Sequence, residues 1–503
     1  MRSLVFVSPV ILLCFGSIFV LTAGLWVQNH AFLLISSLIT LAAAAMGYFS
    51  MIGKPAQDAF AGMLVFDSFG TFFSLFAVLV TALAVLISSN SAEVKADRRP
   101  EYYSILLALC TGLIFMGISN HFLMIYLALE TVSILSYTLA GFGREKSRSV
   151  EASMKYVVYG SVASAIMIYG MSFLFGVTGE YSLTGLRTFV SHTPVEQIPT
   201  ALWIGVLLTF AGIGYKISAA PMHMWTPDVY EGSPTPVSAL LSVGPKAAGF
   251  ALLVRFFVTS FTLPLEGSTA VALTDAANVS FHVVGPYGWP KFLMVSSIFT
   301  MFMGNLAALG QVSVKRILAY SSIAHAGYLL MGATTQSYSG IYAILFYVMI
   351  YCLMNLGAFW VASKVQDAYG GDDLRHFRGL GFKQPFYATV MAIFMFSLVG
   401  LPPFAGFIGK LYLFQAVIAR EMYGFALLAA INSVISLYYY MKIVKAMFLE
   451  SPEGDIQESS QVFNSWITKA GLVLLAVPNL ILGLYWEPVM QIAKGSVAFF
   501  TGR

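Results

Sequence analysis

The chain is poor in charge. Only 10% of its 503 residues are Asp, Glu, Lys or Arg, whereas 58% are apolar and 15% aromatic. A soluble domain carries about 25% charged residues. No soluble surface of this length can be dressed with so few, which excludes a soluble enzyme, a nucleic-acid binder and a disordered scaffold. Cysteine is scarce too. Cys14, Cys110 and Cys352 all fall in apolar runs without CxxC spacing, so they offer no thiolate set for zinc or an iron–sulfur cluster. A Walker-type phosphate loop, a GxGxxG opening a helix, an HExxH and a GxSxG are all missing. Nucleotide hydrolysis, hydride transfer within this chain and intramembrane zinc proteolysis therefore lack support. The net charge of +4 implies no acidic partner. What remains is an all-α integral membrane protein.

A membrane-crossing helix needs about 20 mostly apolar residues. Runs of that kind lie near 5–26, 32–52, 68–89, 102–119, 121–142, 153–176, 201–222, 236–259, 291–310, 315–334, 340–363, 386–417, 423–447 and 468–489. The expectation is about fourteen spans, with Val5–Trp26 read as the first of them and not as a signal peptide. The turn at Asn120–His121 is the least marked break.

Lys and Arg concentrate on the cytoplasmic side of a membrane protein. Fourteen spans put both termini on one side, together with Arg2, Lys54, Arg187, Lys291, Arg420, Lys494 and Arg503. The other side carries Lys95, Arg98, Arg99, Arg144, Lys146, Arg148, Lys315, Arg316, Lys364, Arg375, Arg378, Lys383, Lys442, Lys445 and Lys469. That excess places the second side in the cytoplasm, so both termini should face outward. Of the 27 basic residues, Lys155, Lys216, Lys246, Arg255 and Lys410 are left at membrane depth, with Glu130 in the middle of the fifth span. A charge at the bilayer centre costs about 2.5–3.5 kcal/mol on insertion scales. These side chains must face the bundle interior and serve a polar pathway. Lys155, near the end of its span, and Arg255, late in the eighth, can instead snorkel to an interface.

Two spans are interrupted alike. The seventh contains Pro221 shortly after Lys216, and the twelfth contains Pro402–Pro403 shortly before Lys410. Proline breaks a helix by removing a donor and clashing with the preceding turn. Within a bilayer such a break survives only where protein or a wet cavity satisfies the freed groups. The breaks lie five spans apart. Spans 4–8 and 9–13 therefore read as two five-helix repeats, inverted because each has an odd number of crossings. The organisation expected is 1–101 (spans 1–3), 102–260 (first repeat), 291–447 (second repeat) and 468–503 (span 14).

Burial disfavours an ammonium and a nearby carboxylate favours it. Glu130 and Lys216 read as a switchable pair whose separation releases a proton. Lys246 follows Gly244–Pro245, where the backbone should kink. His223, His325, Ser218, Ser242, Tyr215 and waters are candidates to bridge the lysines. The surface segments, the largest being 90–101, 177–200, 260–290 and 364–385, are too short for a catalytic domain. Transport of a small cation is the reading left. A lysine-rich, carboxylate-poor interior favours the proton over sodium, which usually wants a cage of oxygens.

At this point the residues resemble a known family. The segment from His223 to Lys246 (HMWTPDVYEGSPTPVSALLSVGPK) is similar to the seventh-to-eighth helix region of the antiporter-like membrane subunits of respiratory complex I. So are Ala128-Leu-Glu130 with Tyr137, Lys315–Tyr328 (KRILAYSSIAHAGY) and Leu401–Lys410 (LPPFAGFIGK). The resemblance covers roughly residues 100–450. Within the family the chain looks most like the N-type branch. The M-type sibling typically has glutamate where Lys410 stands, and the L-type carries a long lateral helix for which nothing remains before Arg503. The resemblance implies a fourteen-helix fold with broken helices 7 and 12 and a hydrated axis on which Glu130, Lys216, Lys246 and Lys410 match the family's key charges. It makes Lys155 an auxiliary lysine, beside the weaker candidates His223 and His325. It also implies proton translocation coupled to quinone reduction elsewhere in NADH:quinone oxidoreductase. No cofactor or metal would be bound by this chain, because NADH, FMN, iron–sulfur clusters and quinone belong to the rest of the complex. The implied partners are other membrane-arm subunits, neighbouring antiporter-like ones among them, and membrane lipid, with no nucleic acid. The alternatives are a subunit of a multi-subunit sodium/proton antiporter or membrane-bound hydrogenase, and a solute transporter built on the same inverted repeats.

Overall fold

The computed structural model describes residues 2–27, 29–263, 281–285, 288–452, 460–497 and 500. Arg503, the Arg2 side chain and residues 264–280 of the 260–290 segment lie outside the described residues. In chain order the helices are α1 (Arg2–Ala23), α2 (His30–Phe49), α3 (Ser68–Ser89), α4 (Arg99–Ile118), α5 (Phe122–Ala140), α6 (Ser147–Thr178) and α7 (Leu183–His192). There follow α8 (Thr200–Ile217), α9 (Thr226–Gly232), α10 (Thr235–Val254), α11 (Trp289–Leu309), α12 (Val314–Thr334) and α13 (Tyr338–Tyr369). The last are α14 (Leu374–Phe377), α15 (Leu380–Lys383), α16 (Pro385–Val399), α17 (Ala405–Ile418), α18 (Tyr423–Leu449), α19 (Trp466–Leu484) and α20 (Glu487–Val497). Two small antiparallel strand pairs are Gln57–Ala59 with Leu64–Phe66 and Thr262–Leu263 with His282–Val283.

Among the described residues, twelve helices are long and apolar enough to cross a membrane. Two of the fourteen expected spans do not meet that standard as single helices. The tenth, α12, carries Lys315, Arg316 and His325 and is polar for its length. The twelfth is split into α16 and α17. The turn between spans four and five is confined to Ser119–His121. Two amphipathic segments that were expected as plain surface or span ends are helices in their own right, α7 and α20.

α10 and α13 make the centre of the bundle. The most apolar stretch of α10 is buried throughout, and α13 is nearly so. α11 packs along α12, α6 along α8, and α10 along α13. The helices start where polar side chains take up orphan backbone donors: Asn29 for α2, Asp67 for α3, Ser313 for α12 and Ser337 for α13. α10 continues as helix through Pro245 and widens into a π-helical turn only afterwards, at Arg255–Thr259.

Both expected breaks are present. α8 ends at Ser218, a non-glycine residue at φ 62°, and α16 ends at Gly400 at φ 88°. Each is followed by a cis X–Pro bond, Ala220–Pro221 and Pro402–Pro403. The freed backbone groups find partners. At the first break Ala220 N donates to Thr300 Oγ1 (2.9 Å) and Trp225 Nε1 donates to Tyr215 O (3.0 Å). At the second, Gly406 N donates to Ser397 Oγ (3.0 Å). Glycine is needed there, because a Cβ on Gly406 would lie 1.8 Å from Ser397 O.

Candidate functional site

The site is a line of buried polar side chains through the middle of the bundle. At one end α5 carries Glu130 and, one turn on, Ser133. Lys216, in the last turn of α8 and 0% exposed, donates to Ser133 Oγ at 2.9 Å. Among the described residues Glu130 and Lys216 form no direct ion pair, and Glu130 Oε1 is buried without a partner. The Ser133 hydroxyl that binds Lys216 donates its own hydrogen to Leu129 O (2.7 Å). The Lys216 stem runs against α10 at Gly249, where a Cβ would lie 3.5 Å from Lys216 Cγ. Gly249 is three residues from Lys246, so the glycine lets α8 approach α10 beside the next lysine.

Lys246 donates to Ser322 Oγ on α12 at 2.7 Å and sits 5.7 Å from the centre of the Tyr230 ring. From there α12 carries the line, because Ser322, His325 and Tyr328 share one face at three-residue spacing. His325 is held at both ring nitrogens, Nδ1 by Tyr347 Oη (2.7 Å) and Nε2 by Tyr440 Oη (3.1 Å). Tyr328 lies under the last lysine, with Lys410 Nζ 4.7 Å from its ring centre. Lys410, in the second turn of α17, donates to Val399 O (2.7 Å) and to Ser433 Oγ (3.0 Å). Val399 O is one of the carbonyls freed by the break. The order along the line is thus Glu130, Lys216, Lys246, His325, Lys410.

Lys216, Lys246 and Lys410 are all buried, and among the described residues each is held by hydroxyl or carbonyl oxygen and by no carboxylate. Two other buried cations, Arg255 and Lys364, differ. Arg255 is 1% exposed and forms a two-pronged pair with Asp67, Nη1 to Oδ2 at 2.9 Å and Nη2 to Oδ1 at 3.0 Å, while Nε donates to Gly117 O. It does not snorkel to the interface. Asp67 also caps α3, so this pair ties the first spans to the end of α10. Lys364, expected in a loop, is buried against Asp367 at 3.1 Å. Lys315, expected at the cytoplasmic end of the tenth span, is buried too and donates to a carbonyl, Ser233 O at 2.7 Å.

Lys155 stands apart from the line. Its half-exposed ammonium is shared by Asp228 (2.7 Å) and Glu151 (2.8 Å), and Asp228 is shared in turn with Arg316. Burial alone would raise the Asp228 carboxyl, but the hydrogen bonds and charges of Lys155 and Arg316 outweigh it and hold the group below its usual range. His223 lies in the seventh-span break with Nδ1 buried and unpartnered. Sequence reasoning missed Asp67, Asp367, Asn355 and Glu93. Glu93 is buried at the bundle end, where it accepts from Thr235 N (2.7 Å), Gln366 Nε2 (3.1 Å) and Lys146 Nζ (3.3 Å). Burial would raise its carboxyl, yet Lys315, Lys146 and Thr235 hold it below the usual range. Among the described residues no group of three or more His, Cys, Asp or Glu could hold a metal ion.

A helical membrane bundle whose two broken helices bring lysines onto one buried line is an antiporter-like membrane subunit. The family model described as "NADH:quinone oxidoreductase/Mrp antiporter, TM" matches residues 119–274 and 267–436, and the chain belongs to that family. It is 39% identical over 518 residues to NADH-quinone oxidoreductase subunit N of Anaeromyxobacter sp. (strain Fw109-5), covering 100% of this chain and 98% of the relative. It is 41% identical over 514 residues to NADH-quinone oxidoreductase subunit N 2 of Sorangium cellulosum (strain So ce56), covering 99% and 97%. Among solved structures, a chain of respiratory complex I from Thermus thermophilus superposes with a TM-score of 0.77 at 30% identity, covering 97% of this chain and 100% of that one. A chain of the Mrp complex from Dietzia sp. DQ12-45-1b superposes with a TM-score of 0.81 at 19% identity, covering 99% and 97%, which is a likeness of fold.

Proposed function

We propose that this chain is a proton-translocating membrane-arm subunit of NADH:quinone oxidoreductase, driven by quinone reduction elsewhere in the complex. One observation carries the reading: Lys216, Lys246 and Lys410 are buried on one line at membrane depth and, among the described residues, hydrogen-bond only to neutral oxygens, while Arg255 at the same depth has a carboxylate. An uncompensated buried charge is costly. A lysine placed like this exists as ammonium or amine, and its choice follows the charge of the neighbouring site. A proton entering one lysine favours its departure from the next. Serine hydroxyls and His325, in contact with Tyr347 and Tyr440, are the relays between them. Unpartnered Tyr230, Tyr328 and Tyr351 hydroxyls along the same line favour a wet path, because buried polar groups seek partners.

The reading includes two inverted five-helix units, 102–260 and 291–447, supported by the matched breaks and by the alternating placement of Lys216 before one and Lys410 after the other. It also includes a bacterial inner-membrane location with both termini periplasmic. The ion-paired ends of Lys95, Arg98, Lys146 and Arg148 would then face the cytoplasm. The test is to purify the intact complex through this chain, identify its partners and measure quinone-linked proton uptake into vesicles. Lys246→Ala should assemble and lose that uptake. Full uptake in the variant would remove the lysine line from the mechanism. Co-purification only with partners of a sodium/proton antiporter would select the alternative assembly.

A further inference from the structure

α10 is buried on all sides, yet four of its residues are polar in a regular series. Thr235, Ser238, Ser242 and Lys246 are separated by three, four and four positions, which places them on one face of the helix. α13, its main neighbour, answers with Gln366, Ser363, Asn355 and Tyr351, again within one stripe. The two rows touch at two levels, while the Ser238 hydroxyl between them donates to Tyr230 O on α9 (2.7 Å). Thr235 Oγ1 donates to Gln366 Oε1 at 3.0 Å, and Asn355 Nδ2 donates to Ser242 Oγ at 2.5 Å. Asn355 is 0% exposed, and its Oδ1 has no partner, nor does Ser363 Oγ or Tyr351 Oη. A buried acceptor left bare is costly, and three such groups on one seam mark it as a place for water.

The seam opens at one end. Thr235 begins α10 beside Glu93, which with Lys146, Lys315 and Gln366 lines a cavity of about 360 Å³. At its other end stands Lys246.

We propose that the α10–α13 seam conducts protons between the Glu93 cavity and Lys246, with Asn355 as the positioning residue that keeps its narrow middle polar. This inference rests on the proton-translocation reading of the lysine line. Asn355 does not exchange a proton itself. Its amide orients the Ser242 hydroxyl, which donates on to Ala239 O (2.6 Å), and its free Oδ1 anchors the water that passes the proton along. The proton ends on the Lys246 amine, which becomes ammonium, and the charge then leaves through Ser322. Glu93, held as a carboxylate by its cationic neighbours, fixes the helix start and the mouth and does not serve as the carrier.

The test uses the intact complex in vesicles, with Lys246→Ala, Asn355→Leu and Asn355→Ser compared. Leucine keeps the volume and removes both polar groups, so quinone-linked proton uptake should fall about tenfold, and serine should recover most of it. A second measurement is independent of turnover. In a background of Cys14→Ser, Cys110→Ala and Cys352→Ala, Ser238→Cys and Ser242→Cys should react with methanethiosulfonate ethylammonium. Leu240→Cys, equally buried on another face of α10, should not, and Asn355→Leu should slow the reaction at Ser242→Cys. Normal uptake in Asn355→Leu while Lys246→Ala is inactive overturns the seam and leaves the lysine line standing. Normal uptake in Lys246→Ala overturns the underlying reading, and labelling then decides whether the seam is wet. Equal inertness of all three cysteines overturns the seam outright.

Discussion

Lys216 donates its hydrogen bond to Ser133 and not to Glu130, three residues earlier on the same helix. The Ser133 hydroxyl passes its own hydrogen to Leu129 O, so Glu130 and Lys216 share no hydrogen bond, and Glu130 keeps an oxygen free for another donor. A direct salt bridge would hold the proton in place. Without that bridge the two charges sense each other across space while the lysine remains free to exchange. Glu130→Gln keeps the shape and removes the charge, and the complex should still assemble. Proton pumping and electron transfer should fall together, by roughly tenfold or more if the group serves in proton transfer. Pumping at the wild-type rate in an assembled Glu130→Gln complex would sink the coupling of these two residues.

The Asp67–Arg255 pair makes the opposite kind of prediction. Both partners are buried, both prongs are near 3 Å, and Asp67 also holds the first turn of α3. Removing one partner strands the other, at a cost of about 3–5 kcal/mol. Asp67→Ala should lower the thermal midpoint of the purified complex or prevent incorporation of the chain. Replacing both residues with Leu should be milder than Asp67→Ala alone, since no charge is left stranded. An unchanged midpoint in Asp67→Ala would show that the pair carries no structural load.

What could be read from the chain alone follows the range of the signal. The apolar run at 68–89 coincides with α3 because length and hydropathy are local. The breaks at Pro221 and Pro402–Pro403 are local too, since proline acts on its own turn. Asp67 and Arg255 meet across 188 positions, and Glu93 meets Gln366 across 273, so neither contact has a signature in sequence spacing. Arg255 reads as a snorkelling end residue until Asp67 is placed beside it. Lys315 and Lys364 read as cytoplasmic charges because they sit at span ends, yet packing of α12 and α13 against their neighbours buries both. The three axis lysines were visible because a charge inside an apolar run is conspicuous. Which oxygens hold them was not. α7 and α20 escaped because a span-length window averages out a short amphipathic helix.

The Lys155–Asp228–Arg316 cluster predicts an acid-side effect on stability. The folded Asp228 carboxyl lies below its unfolded value, so its contribution is present above the unfolded value of about 3.9. It is lost as pH falls through the folded value. Asp228→Asn should therefore lower the unfolding midpoint near neutral pH, and the gap from wild type should close in acid below that window. A gap that stays constant with pH would mean that the carboxylate charge is not what the cluster uses.

Lys410 separates a structural role from a chemical one. Its ammonium satisfies Val399 O, a carbonyl that the break in the twelfth span leaves without a helical donor, and it also reaches Ser433 Oγ. Those bonds alone would account for a lysine at this position. Arginine keeps a permanent charge and has more donors, so a purely structural site should accept it if the cavity admits the larger head. Gly400, where a Cβ would lie 2.9 Å from Lys410 Cδ, and the Tyr328 ring leave the stem closely surrounded. Lys410→Arg adds bulk at a closely surrounded site, and Lys410→Met supplies the control for packing, since it keeps the stem and removes the head. Guanidinium is effectively never deprotonated in a protein, so arginine cannot pass a proton on. If Lys410 must alternate between ammonium and amine, both variants should assemble and both should lose proton translocation. If it only satisfies the break, Lys410→Arg should pump normally and Lys410→Met should lower the thermal midpoint. Quinone-linked uptake and the midpoint, measured on the same preparations, distinguish the two.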